Sequence, residues 1–473
     1  MHRRALLIAA AASALARPAI AVDRKVLDLA TDAITANEAS RRTAIDKMLA
    51  RGKPDIVGAL IDLMLYFPDD GDRIAVALRQ FTGQSIGTDW FKWMIWQEDA
   101  TQYISFDGYA TFKARLLASI DPNFGDFLQP DSPHVIRLEE IVWGGVMKDG
   151  IPALVNPAFV AAKDADWLWD GELVFGVEIG GDVRAYPHRI MDWHEMANDM
   201  VGGVPLALAY CTLCGSGILY ETQVAGRERP FEFGSSGLLY RSNKLMYDRE
   251  TLSLWNHFTA RPAVGTLVGS GIQLRTRPVA VMRWRDWLQL HPATRVLSLD
   301  TGHRRNYAPG MPYGMYFSTP GLMFPTSVSD GRLSPKDIVF IVRADGRRRA
   351  WPVKAFGDGR VLNDTIGARP VVLIGDGRGE TVRAYDRGAS VFTSRIDGSA
   401  AAPRALHDWS GAPWTVTEET LTAEDGRILP RLPGHNAYWF AFARFGGEHD
   451  SLYEEFNKRT PDGGTRLDRA SPK

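Results

Sequence analysis

The sequence predicts an α+β protein in which a small helical N-terminal region precedes two related, internally duplicated β-rich lobes. Three observations lead there. Residues 24 to about 125 carry apolar side chains at helical spacing, as in Ile56, Ala59, Leu60, Leu63 and Met64, and again in Phe112, Leu116 and Leu117. Beyond about residue 130 the texture changes to short Val, Ile, Phe and Tyr runs broken by Gly-Gly, Asp-Gly and Gly-Asp-Gly, the punctuation of hairpins. Within this part, Glu172 to Pro205 aligns without a gap to Asp337 to Pro370, a constant offset of 337 − 172 = 165, with 11 of 34 positions identical. The expected divisions are an export signal (1–21), the helical region (22–130), a first lobe (131–305), a second, degenerate lobe (306–458) and a flexible tail (459–473).

The elements follow in order. Met1-His-Arg-Arg4 is a basic start, Ala5 to Ala16 an apolar stretch and Ala19-Ile-Ala21 a small-x-small cleavage site. Arg3-Arg4 and the Ala-rich core fit twin-arginine export, although the flanking Ser and Phe of that signal are missing, so a periplasmic location is expected. No later run has the 18 or more apolar residues of a membrane span. The helical segments, separated by Gly and Pro-Asp, carry no recognisable chemistry and read as a packing or docking layer. Lys plus Arg (55) nearly balance Asp plus Glu (56), which argues against a nucleic-acid partner. A small-molecule or protein partner is left unspecified.

In the β part the repeat separates scaffold from site. Phe175/Phe340, Gly181/Gly346, Arg184/Arg349, Pro187/Pro352, Asn198/Asn363 and Asp199/Asp364 occur in both copies and are expected to fold the unit. Asp248 to Trp255 is echoed more loosely by Asp408 to Trp414. His194, Glu195, Cys211 and Cys214 occur only in the first copy, where Gly359, Arg360, Asp376 and Gly379 are their counterparts. Cys211 and Cys214 are the only cysteines of the chain. They follow an apolar run, Val204 to Ala209, that reads as a buried strand, and they precede small residues suited to a sharp turn.

The strings RAYP, WHE-x-x-ND-x-x-GG-x-P, YC-x-LCG, GSSGLLYRSN-x-LMYDRET-x-SLW and HPATRVLS resemble the bacterial domain of unknown function 3179 family over roughly residues 135 to 460. The resemblance implies that the family pattern includes His194, Glu195, Cys211, Cys214 and the stretch Ser236 to Asn243. It carries no assigned activity. Thr212 stands where the resemblance leads one to expect Pro.

Two soft sulfurs with an imidazole suit one metal ion, with copper the first expectation and zinc or iron next. Cys211, Cys214 and His194 are the expected ligands. A helix over Met191 to Met200 would put His194 and Asn198 on one face and turn Glu195 about a quarter turn away, as a carboxylate ligand, a partner orienting His194, or a general base toward bound water. His194 and Glu195 are thus the catalytic candidates. Ser236, Tyr240 and Asn243 are candidates for walling a ligand pocket beside the thiols, and Met246 and His257 are further ligand candidates that read better as core and interface. A redox-active pair is the other expectation for two exported cysteines, although the helix that follows a thioredoxin-type motif is absent. A cysteine nucleophile with His194 as base also stays open. Serine-hydrolase and phosphate-loop spacings are not found. The reading from a different class is a non-enzymatic binding or assembly protein stapled by a Cys211–Cys214 disulfide.

Overall fold

A computed structural model describes residues 24–453 apart from 131 and 448. The expected export signal and the whole of the expected tail lie outside the described residues. Six α-helices come first: Arg24–Thr35, Glu38–Leu49, Val57–Tyr66, Gly71–Thr82, Trp90–Asp99 and Tyr109–Ala118. Side-chain caps start two of them, with Asn37 Oδ1 accepting from the Ser40 amide and Asp89 Oδ1 from the Lys92 amide. The apolar stripe read from the sequence is the buried one, since Ile56, Ala59, Leu60, Leu63, Phe112 and Leu117 are fully buried. Buried Asp62 joins two of these helices by accepting from Tyr109 and Lys113, each at 2.6 Å.

Thereafter the described residues are β-rich, in six sheets, and among them no sheet mixes strands from before residue 300 with strands from after it. Three sheets use strands between Ile141 and Leu297, and three use strands between Ile338 and Leu452. The hairpin Leu173–Ile179 with Asp182–Pro187 pairs Val174 with Pro187, and the hairpin Ile338–Ala344 with Arg347–Pro352 pairs Val339 with Pro352. Both partners are displaced by 165 residues. The next hairpins agree equally, with Asn198 opposite Ala207 and Asn363 opposite Val372.

The shared residues make the same bonds in both places. Asn198 closes a two-way pair with the Phe233 backbone (2.8 and 2.9 Å), as Asn363 does with Phe392 (2.7 and 2.9 Å). Asp199 accepts from Arg184 and Tyr186, and Asp364 from Arg349 and Trp351. Trp255 donates to Asp248 at 2.9 Å and Trp414 to Asp408 at 3.0 Å. Each bond satisfies a polar group that packing would otherwise strand, so the same residues recur wherever the same hairpins stack.

One large apolar core runs from the helices into the sheets and includes both cysteines. The helical layer is also pinned electrostatically, through Arg444 against buried Glu98 at 2.7 Å. Between Leu297 and Ile338 the chain has little regular structure beyond the short helix Gly314–Ser318, and it packs back on the Cys-bearing sheet. Trp193 donates to the Asn306 carbonyl at 2.7 Å and Tyr316 to the Leu213 carbonyl at 2.7 Å.

Candidate functional site

The strand Val204–Cys211 runs between Met196–Val201 and Ser216–Glu221, with Cys211 opposite Ser216. A single 3₁₀ turn, Thr212–Cys214, joins it to the next strand, and Gly215 (φ +59°) takes the left-handed step that reverses the chain. The two sulfurs are thereby stacked at 2.8 Å, both as free thiols and both buried. That separation exceeds the roughly 2.05 Å of a disulfide, so the pair is drawn together without being bonded. The Cys214 thiol also points at the Ser242 carbonyl, 3.4 Å away. Burial, with Cys211 next, pushes the Cys214 thiol well above its usual range.

The helix read over Met191 to Met200 is corrected. It spans His188–His194 only, and Glu195 ends it in the left-handed region at φ +53°. From Met196 the chain is a strand whose register, Met196 opposite Ala209, belongs to the Cys-bearing sheet. Sheet pairing wins over helical periodicity here, and the reversal at Glu195 sends two adjacent side chains apart. A non-glycine residue held there costs on the order of 1 kcal/mol or more, which the surrounding bonds must offset.

Glu195 faces the thiol turn. Its carboxylate accepts from Thr212 at 2.8 Å, Tyr313 at 3.1 Å and Lys244 at 3.1 Å, and Lys244 also donates to its carbonyl at 3.0 Å. Thr212 supplies a hydroxyl that a proline in its place would lack. Glu195, Lys244, Tyr313 and Cys211 together wall a cavity of about 30 Å³, large enough for one or two water molecules. Cys211 is therefore the sulfur presented to this space, and Cys214 lies behind it.

His194 faces the other way. Its Nδ1 donates to the Pro152 carbonyl at 2.8 Å, so Nε2 accepts from the Tyr307 hydroxyl at 2.6 Å, and Tyr307 is in turn bonded to Thr301 at 2.6 Å. Burial pulls its pKa down to about 4. Its ring is thus committed away from the sulfurs, and among the described residues no three His, Cys, Asp or Glu side chains converge as a metal would require. The Cys211, Cys214 and His194 set expected for copper, zinc or iron is not assembled.

The remaining candidates distribute as follows. Ser236 is spent within its hairpin, bonded to the Leu245 carbonyl and accepting from the Leu238 amide at 3.0 Å. Its neighbours Ser235 and Gly237 to Leu239 are what line the small cavity. Tyr240 packs on Phe445, and Asn243 is buried with its amide nitrogen unpartnered. Met246 is core, fully buried opposite Trp255. His257 sits below the Cys strand, bonded through Nε2 to the Ala209 carbonyl at 3.0 Å. Lys244 and Tyr313 went unrecognised in the sequence. The available signal for Lys244 was a lone lysine inside the apolar strand Asn243–Asp248; for Tyr313 there was none.

In comparison with known proteins, the family model described as protein of unknown function, DUF3179, matches residues 148–449, more than half of the chain. No curated protein and no solved structure matches it.

Proposed function

We propose a redox role for this chain, which belongs to the DUF3179 family: an exported protein in which Cys211 and Cys214 are a redox-active dithiol. The observation that carries it is the pair of free thiols 2.8 Å apart on one turn, with one sulfur facing a cavity that an ion pair and a tyrosine enclose. In the reaction, the Cys211 thiolate attacks one sulfur of a substrate disulfide, and the other substrate sulfur leaves as a thiol. Cys214 then attacks the mixed disulfide at Cys211, releasing the second substrate thiol and leaving a protein disulfide. Two electrons and two protons pass to the substrate. Lys244 and Glu195, which border the same cavity as Cys211, are the polar groups through which the protons released by the two thiols would leave. Substrate reaches Cys211 by displacement of the segment carrying Tyr313, since about 30 Å³ does not admit a disulfide.

The residues shared at the 165-residue offset support a duplicated β unit, of which only the first copy kept the chemistry. An export signal at residues 1–21 would place that chemistry in an oxidising compartment.

The test is thiol counting by alkylation and intact mass on protein purified without reductant, across a series of glutathione redox buffers, with metal content measured on the same sample. Reversible loss of two hydrogens, abolished in Cys211→Ser, is the expected result. Thiols that never oxidise would refute the proposal. So would a disulfide reducible only after unfolding, which leaves the stapled binding protein, or one equivalent of copper, zinc or iron lost in Cys211→Ser, which restores the metal reading.

A further inference from the structure

Bordered by Tyr210 and Gly215, on either side of the thiol turn in the chain, lies a much larger cavity of about 450 Å³, within the range of ordinary small-molecule sites. It opens between the two sets of sheets. Phe175 and Tyr210 come from strands of the first set, His188 and Asp192 from the helix His188–His194, Tyr438 from a strand of the second set and Glu380 from a turn within it. The absence of a side chain at Gly215 keeps it open, because a Cβ there would come within 3.2 Å of the Tyr438 ring.

Its charges do not balance. Lining residues Arg189 and Glu172 neutralise each other, with Arg189 Nε donating to Glu172 at 2.6 Å. Lys336 holds one positive charge at the cavity wall, its ammonium donating to the Thr319 carbonyl at 2.7 Å and the Tyr316 carbonyl and lying over the Tyr316 ring, which leaves two carboxyls against one cation. Asp192 and Glu380, by contrast, are in no ion pair among the described residues. Asp192 is 5% exposed and its Oδ1 has no hydrogen-bond partner, although the side chain borders the cavity. A carboxyl buried in this way is normally paired or bonded, so its free oxygen marks a missing donor. Burial holds Asp192 up at about 8 and raises Glu380 against the opposing pull of Arg283, so neither carboxylate charge is fully offset within the protein. Tyr210 and Phe175 add aromatic surface, His188 is stacked on Phe175 at 4.1 Å with its Nε2 unpartnered, and the Tyr438 ring already lies 5.5 Å from the Lys336 ammonium.

We infer that this cavity is a binding site for a small organic ammonium, its charged nitrogen donating to Asp192 and facing Glu380 while its apolar body lies against Tyr210, Tyr438 and Phe175. The site is separate from the dithiol, and either can stand without the other.

The experiment is calorimetric titration of the full chain with phenethylammonium chloride and, in parallel, with 2-phenylethanol, which has the same body and no charge. The amine is expected to bind at least about tenfold more tightly than the alcohol, and Asp192→Asn to remove about that factor, since a hydrogen bond to a charged group is at stake. Glu380→Gln, on the opposite wall, should weaken the amine and leave the alcohol unchanged. Circular dichroism and melting of each variant establish that it is folded. No heat with the amine, equal affinity for amine and alcohol, or an amine affinity untouched by both substitutions would overturn the inference.

Discussion

Replacing Lys244 with Met separates the interactions that hold the thiol turn. Lys244 and Glu195 are 3.1 Å apart, with side chains only 4% and 9% exposed. Removing one partner of a buried pair costs about 3–5 kcal/mol, mainly because the other charge is stranded. Glu195 would still have the Thr212 and Tyr313 hydroxyls at 2.8 and 3.1 Å, which places the expected cost near the lower end. Met keeps most of the aliphatic stem, so packing is little changed. Local opening of the turn should then become more frequent by about two orders of magnitude, at about 1.4 kcal/mol per decade. In a Cys214→Ser background the alkylation rate of native Cys211 reports this opening directly. Lys244→Met is expected to label about 100-fold faster, and adding Glu195→Gln, which removes the stranded charge, to recover most of the protection. Labelling less than about tenfold faster, or a double variant no better protected than the single, would refute the reasoning.

Other consequences are equally checkable. Asp192 is held up to about 8 first by burial and then by Glu195, against a bond from Tyr210, and its ordinary value is 3.8. Between those values the folded protein holds a proton that the unfolded chain has released, so stability falls as pH rises through this window, and the penalty is complete above about pH 8. Asp192→Asn should therefore raise the melting temperature above pH 8 and leave it nearly unchanged near pH 4; an equal gain at both would count against burial as the cause. Asn198→Ala and Asn363→Ala each delete a two-way backbone brace, and denaturant unfolding should find each losing about 1–3 kcal/mol. A loss in only one would break their equivalence. Gly217→Ala places a Cβ 2.2 Å from the Phe175 ring, and overpacking of that kind should cost about 1–3 kcal/mol in the same measurement.

Much of the fold was legible because it rests on local pattern. Helical spacing identified Val57–Tyr66 and Tyr109–Ala118, and the apolar run before the cysteines is the strand Val204–Cys211. Family membership was readable from the strings around RAYP and YC-x-LCG. Gly181 and Gly346, which recur at the same offset, both take positive φ, +81° and +75°. The site was less legible. Periodicity carried the helix through Met200, and only the pairing of Met196 with Ala209 explains why it stops at His194. Ser236 reads from sequence as one of the residues walling a ligand pocket, and its hydroxyl bonds inside its own hairpin.

The sequence by itself determined the order of helical and β regions, the spacing that stacks two thiols on one turn, and the braces repeated at a 165-residue offset. All of these depend on residues near one another in the chain or on comparison of the chain with itself. Only the tertiary structure decided that Glu195 meets Lys244 and Tyr313, 49 and 118 residues away, and that His194 does not meet the sulfurs. Such contacts follow from where sheets stack and where one backbone torsion is forced positive, and residue type alone does not encode them.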